Sequence, residues 1–169
     1  MKIDVEQSIL RKRIIYKKTL LEKINYIIDF YFWVFSVPVL TIFLIYYDNS
    51  LNNKELIFYF IINLPFIWNM FGLKYIDKLS YLGEIKINQR NDFLKEIKLK
   101  YNYDKIVEDN DLIIMKKSWK WFKLGEELII LFDKEKVLAN LTTLGKYDIK
   151  VTFFFYKDQI KLSKLKNYC

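Results

Sequence analysis

Two long apolar runs constrain the fold of this chain more than any other feature. The first spans residues 26–47 with Asp29 as its only charge, and the second spans 56–76, uncharged until Lys74. A helix of about 20 residues crosses the hydrocarbon core of a membrane. Both runs are long enough, and residues 77–169 are too few to bury two all-apolar helices in a soluble fold. The runs therefore predict a transmembrane helical hairpin.

The distribution of charge predicts the orientation of this hairpin. Residues 1–25 carry seven Lys or Arg and three acids, whereas the connection between the runs carries one lysine and two acids. Basic residues favour the cytoplasmic side. We therefore expect a multi-pass protein of the inner membrane with both termini in the cytoplasm. A reporter at Asn52 should be external, and one at Cys169 should be cytoplasmic.

The N-terminal arm, residues 1–25, allows two interpretations. Its apolar residues form a rough helical stripe, and basic residues occupy much of the rest. In one interpretation it is an interfacial helix attracted to anionic lipid at the cytoplasmic face. In the other it packs on the C-terminal domain, for example as an extra strand. The candidate membrane-surface residues are Arg11, Lys12, Arg13, Lys17 and Lys18.

Two asparagines in the second run are candidates for helix association. Asn63 and Asn69 lie on either side of Pro65, and an unpaired amide in lipid is costly. Asn63 is expected to find its partner within the hairpin or in another copy of the chain. The second option would make the protein a homo-oligomer.

Residues 77–169 have the pattern of a small, β-rich domain. The segment 92–105 fits an amphipathic helix better than a strand, and 150–156 is either a last strand or the start of a helix. Alternating or short apolar segments predict strands at 81–88, 112–117, 127–132 and 137–141, and a short helix is expected at 157–167. The predicted fold class is a membrane α-helical hairpin plus a small cytoplasmic α+β domain with antiparallel strands.

Trp119 and Trp121 alternate with Lys120, so on a strand both indoles would face the same way. Burial in the core of the small domain is the favoured interpretation. The alternative is a membrane-facing aromatic rim with neighbouring lysines at the headgroups. Stacking on nucleic acid is least favoured, because the basic residues of 77–169 form no concentrated stripe. No nucleic-acid partner is expected.

The sequence offers little catalytic chemistry. It has no histidine, one cysteine and four scattered glycines, which excludes His-based nucleophile pairs and phosphate-binding glycine motifs. The acidic pairs fall in a turn or on opposite faces of a strand. We therefore predict no enzyme activity, no cofactor and no metal.

The block DLIIMKKSWKWFKLGEELIILFDKEKVLANL, residues 111–141, resembles bacterial membrane proteins with a YcxB-like or pleckstrin-homology-like C-terminal domain. The basic arm and two-span hairpin match their architecture. The resemblance implies a β-rich domain without catalytic residues. The leading hypothesis is a non-enzymatic membrane protein whose cytoplasmic domain binds a partner or ligand. The alternatives are a membrane-disrupting defence effector that senses a signal such as a nucleotide, and a membrane-bound immunity protein.

Overall fold

The computed structural model describes residues 2–17, 19–47, 52–121, 123–148 and 150–169. Both apolar runs lie in helices that contact each other, α2 over Leu20–Tyr47 and α3 over Asn53–Leu73. Asn52 begins α3 with a capping box: its side chain accepts a hydrogen bond from the Glu55 N–H, and the Glu55 carboxylate accepts one from the Asn52 N–H. This cap starts α3 before the predicted position 56.

One helix of the described residues meets the length and composition of a membrane span. It is α3, whose most apolar stretch has a mean hydropathy of 1.7 and is only 6% buried. Within α2, the segment Pro38–Tyr47 forms a shorter apolar helix. Among the described residues the chain therefore has a helix-rich apolar region, in which α3 has the length and composition of a membrane span.

A five-stranded antiparallel sheet forms the second part of the fold. Its strand order is β3-β7-β6-β5-β4. The strands are β3 (Ser80–Glu84), β4 (Lys105–Asp109), β5 (Leu112–Lys117), β6 (Gly125–Asp133) and β7 (Lys136–Leu144). The central strand β6 is buried on both faces, so the sheet needs a cover on each side.

Two helices cover one face of this sheet. They are α4 (Arg90–Tyr101) and α5 (Phe155–Leu165). Ile97 of α4 and Leu162 of α5 pack in one apolar cluster with Leu128 and Ile130 of β6. The helix expected near 92–105 is confirmed as α4, which ends at Asn102, a residue with a left-handed backbone.

The N-terminal arm covers the other face. It forms β1 (Lys2–Ile3), α1 (Val5–Arg11) and β2 (Tyr16–Lys17), and β1 pairs with β2. Ile3 and Ile14 pack against Ile129 and Leu131 of β6. The interpretation that the arm packs on the domain is confirmed. The single amphipathic helix through the arm is wrong, because strand pairing and a short capped helix replace it.

Two further features of the sheet differ from expectation, and one open alternative is decided. The strand β4 was missed, because its sequence KIVED is polar and the strand is largely exposed at the sheet edge. The strand expected at 81–88 ends at Glu84. The segment 150–156, expected to be either a last strand or the start of a helix, is the start of a helix: Thr152–Phe154 is a 3₁₀ turn that leads into α5.

Candidate membrane-contact site

Strand register shows which end of the sheet lies next to α3. β3 begins shortly after α3 ends, and its first residue, Ser80, pairs with Ala139 of β7. Because the two strands are antiparallel, β7 continues past this pair toward α3 and ends at Leu144. Gly125, at the start of β6, pairs with Leu144. The loop that precedes Gly125 therefore lies at the end of the sheet nearer to α3.

That loop carries Trp119 and Trp121; its described residues, 118–121 and 123–124, are called here the tryptophan loop. Trp121 is 83% exposed and Trp119 is partly exposed. The favoured core assignment of both indoles is therefore wrong. The β5–β6 ladder ends at the pair Lys117↔Glu126, so the alternation of a strand does not extend through Trp119 and Trp121.

The tryptophan loop is polar and basic around its indoles. Asp104 fixes its start by accepting a hydrogen bond from the Ser118 N–H at 3.0 Å, a contact that lowers the pKa of the Asp104 carboxyl. Lys120 and Lys123 form an isolated β-bridge across the loop. Four lysines lie in or beside the loop: Lys116, Lys117, Lys120 and Lys123. Exposed indoles among lysines are the composition of a membrane–water interface.

Replacing Trp121 by alanine tests this correction. We expect Trp121→Ala to change the free energy of unfolding by no more than about 0.5 kcal/mol, since substitutions of exposed side chains have small effects. Trp68→Ala is the matched control, because Trp68 hydrogen-bonds and packs against the domain and should be the more destabilising loss. Thermal unfolding of the full chain in mild detergent measures both. Equal losses of stability in Trp121→Ala and Trp68→Ala would show that Trp121 is packed in the fold after all.

The end of α3 is joined to the C-terminal segment by aromatic contacts. The Trp68 indole N–H donates to the Phe153 carbonyl at 3.0 Å, and the Trp68 ring lies 5.2 Å from that of Phe155. The ring of Tyr75 stacks on Phe155 at 5.3 Å. Glycine at 72 permits this approach, because an added Cβ would lie 2.3 Å from the Thr152 carbonyl oxygen. The aromatic run FFFY at 153–156 is visible in the sequence, but its contact with α3 is not.

Buried polar side chains attach the turn after α3 to the sheet. The fully buried Asn140 side-chain amide donates to the carbonyls of Ile76 at 3.1 Å and Lys78 at 2.9 Å. The Thr142 hydroxyl contacts the Ile76 carbonyl at 3.1 Å and the Asn140 side-chain oxygen at 2.9 Å. These bonds satisfy carbonyls that the turn would otherwise bury unpaired.

A charged junction links the arm, the turn after α3 and the segment after β7. The Lys150 ammonium donates to the Asp77 carboxylate and to the Tyr16 hydroxyl, each at 2.6 Å. Burial alone would lower the pKa of Lys150, but Asp77 and Tyr16 outweigh it and the pKa is raised. Burial raises the pKa of the Tyr16 hydroxyl to about 12. Lys150 is therefore charged at neutral pH.

Asp158 places a buried carboxyl between α5 and β7. It accepts hydrogen bonds from the Thr143 N–H at 3.0 Å and the Thr143 hydroxyl at 2.6 Å. Burial raises the pKa of Asp158 in spite of these bonds. A small cavity beside it, next to Gly72 and Thr142, has room for about one water molecule.

The raised pKa of Asp158 predicts a pH-dependent stability. The folded chain holds this proton more tightly than the unfolded chain. The stabilisation that Asp158 gives the fold through its bound proton is therefore complete below the unfolded pKa of about 3.9. It is lost as pH rises through the higher pKa of the folded state. Asp158→Asn keeps both partners without the charge, so we expect a higher thermal midpoint than wild type at neutral pH and equal midpoints in acid.

The measurement is thermal unfolding of the full chain in detergent across this pH range. Asp109→Asn, at the exposed end of β4, is the control and should not reproduce the pH-dependent difference. A lower midpoint for Asp158→Asn at neutral pH would mean that the ionised carboxylate stabilises the fold.

The structure also locates the other candidate residues. Arg11, Lys12, Arg13 and Lys17 are exposed on the arm, while Lys18 lies outside the described residues. The Asn63 side-chain N–H donates to the Tyr59 carbonyl of the same helix at 2.8 Å, and its oxygen is covered without a hydrogen bond. The described contact of Asn63 is thus within α3. The side chain of Asn69 lies outside the described residues.

Neither similarity to known proteins nor a metal site assigns a function to this chain. No family model, curated protein or solved structure matches the chain. Within the described ranges, no group of three or more His, Cys, Asp or Glu is arranged to hold a metal ion. The geometry brings together aromatic rings, a buried amide and a charged pair around the end of α3.

Proposed function

We propose that the chain is a non-enzymatic integral membrane protein. In this proposal α2 and α3 cross the membrane as a hairpin, and the sheet domain lies on the cytoplasmic side and binds a partner. The observation that carries it is the exposure of α3, whose most apolar stretch is 6% buried by the rest of the chain. Exposure of such an apolar surface to water is unfavourable, whereas the acyl chains of a lipid bilayer can cover it.

The length of α3 also supports this proposal. A helix of 21 residues is about 32 Å long at 1.5 Å per residue, close to the thickness of the hydrocarbon core. Its proline, Pro65, is tolerated in transmembrane helices. α2 begins at Leu20 and contacts α3, so it would enter the membrane beside α3 from the same side as the domain.

The attachment of α3 supports a positioning role for the hairpin. Trp68, Gly72 and Tyr75 all contact the segment that leads into α5, and Asn140 holds the turn that follows. A flexible tether would need none of these contacts. The hairpin therefore presents the domain in one orientation, with the tryptophan loop at the end nearer to α3.

Membrane extraction tests the proposal. Membranes from cells that express the full chain are washed with alkaline carbonate and then with detergent. We expect the chain to stay in the carbonate pellet and to enter the supernatant only with detergent. Replacing Ile61 and Leu64 of α3 by lysine should shift the chain to the carbonate-soluble or aggregated fraction. Full release of the wild-type chain by carbonate would overturn the proposal.

A further inference from the structure

α5 exposes an apolar face on the side away from the sheet. Phe153 before the helix and Tyr156 and Ile160 within it are 45%, 64% and 43% exposed. Their spacing of three and four residues places them along one side. The opposite side packs into the domain through Asp158, Leu162 and Leu165, which are buried. The exposed set Phe153, Tyr156 and Ile160 is called here the outer face of α5.

The outer face lies beside the end of α3. The Phe153 carbonyl accepts the hydrogen bond of the Trp68 indole, which fixes Phe153 at the level of Trp68. Trp68 lies five residues before the last residue of α3, Leu73, which corresponds to about 8 Å along the helix. In a helix that just spans the core, this is the depth at which interfacial helices bury their apolar face.

The exposed charges on α5 and at the end of α3 are basic. Lys157 and Lys164 are exposed on α5, and Asp158, the one acidic residue of that helix, is buried. Lys74 is exposed at the end of α3. An apolar face with lysines at its border suits anionic lipid headgroups.

We propose that the outer face of α5 lies in the bilayer interface, as a membrane contact additional to the spans. The occupant is anionic lipid, because the outer face continues the exposed apolar surface of α3 and is bordered by lysines. This inference rests on the proposed function. It makes α5 a helix that is buried in the domain on one side and in lipid on the other.

Site-specific fluorescence in nanodiscs tests the inference. In a Cys169→Ser background, Tyr156→Cys, Ile61→Cys and Ile87→Cys each carry an environment-sensitive fluorophore. The full chain is placed in anionic nanodiscs with and without nitroxide-labelled lipid. Ile61 reports insertion of α3. Ile87 is the water control, because it is 69% exposed and follows Ile85, which bonds the β6–β7 turn at the far end of the sheet.

We expect lipid quenching and a blue-shifted emission at Tyr156 and Ile61, and neither at Ile87. Adding Lys157→Glu and Lys164→Glu should reduce quenching at Tyr156 and leave Ile61 unchanged. Quenching at Ile61 without quenching at Tyr156 would overturn the inference and leave the proposed function standing. A blue-shifted emission at Tyr156 without lipid quenching would indicate that a second copy of the chain covers the outer face of α5. That result would also overturn the inference. Absence of lipid quenching at Ile61 would instead contradict the proposed function, because α3 would not be in the bilayer.

Discussion

Asn140→Ala is expected to lower the stability of the full chain by about 3–5 kcal/mol. The change removes the two hydrogen bonds that the fully buried Asn140 amide donates to the Ile76 and Lys78 carbonyls, and one of the two acceptors of the Thr142 hydroxyl. Each buried group left unpaired costs roughly 1–3 kcal/mol. For a chain of this size the loss corresponds to a fall of roughly 8–15 °C in the thermal midpoint.

Thermal unfolding of the full chain in mild detergent measures this loss. Asn167→Ala is the matched control, since Asn167 is exposed near the C-terminus and should shift the midpoint little. A second readout is protease cleavage in the turn after α3, which should increase only in Asn140→Ala. If Asn140→Ala and Asn167→Ala had the same thermal midpoint, the Asn140 amide would not be the group that attaches the turn after α3 to the sheet.

Lys150→Met is expected to destabilise the chain by about 3 kcal/mol. The change leaves Asp77 without its ammonium partner while the Asp77 side chain remains only 21% exposed. Removing one partner of a buried ion pair costs about 3–5 kcal/mol, and the partial exposure here places the loss at the low end. Stability curves in detergent near neutral pH measure it.

A double-mutant cycle separates the ion pair from simple packing. Asp77→Asn removes the stranded charge, so Lys150→Met combined with Asp77→Asn should recover part of the loss. Lys17→Met is the control, because Lys17 forms an exposed ion pair with Asp4 at 3.8 Å and should cost less than about 1 kcal/mol. Strict additivity of the Lys150 and Asp77 changes would show that the two charges do not interact.

The central sheet was predictable from local sequence. β5, β6 and β7 are consecutive antiparallel strands of strong apolar character, so each pairs with a neighbour across a short connection. The run DKEK at 133–136 predicts a polar hairpin loop, and the structure has the turn between Asp133 and Lys136. α4 followed from its apolar spacing, with Phe93 and Ile97 buried in the structure. Such features depend on side chains close in sequence.

The features that the sequence left open or mispredicted depend on distant contacts. The arm covers the second face of β6 because Ile129 and Leu131 need a partner there, and its own helical stripe says nothing of this. The segment that leads into α5 was left open between strand and helix, and its Thr152 packs against Gly72, which is far away in the sequence. Trp119 and Trp121 were misassigned because the end of the β5–β6 ladder at Lys117 leaves no mark in an alternating pattern.

The sequence predicted which residue types the candidate site contains but not which of them contact each other. The tryptophans, their lysines and the basic arm were identified as alternatives for a membrane surface. Asn140, Lys150 and Asp158 were missed, since a buried polar residue looks like any other polar residue until its partner is known. The aromatic run at 153–156 was visible, but its contact with Trp68 was not.

Cysteine accessibility tests the central claim, that the hairpin crosses the membrane with the sheet domain inside. Cys169 is the one cysteine of the sequence and is exposed, so it is first replaced by serine. Asn53→Cys, beside the cap of α3, and Leu99→Cys, exposed on α4, are then introduced separately. Intact cells receive a membrane-impermeant maleimide. We predict labelling at residue 53 in intact cells and at residue 99 only after permeabilisation; labelling at residue 99 in intact cells would contradict the account.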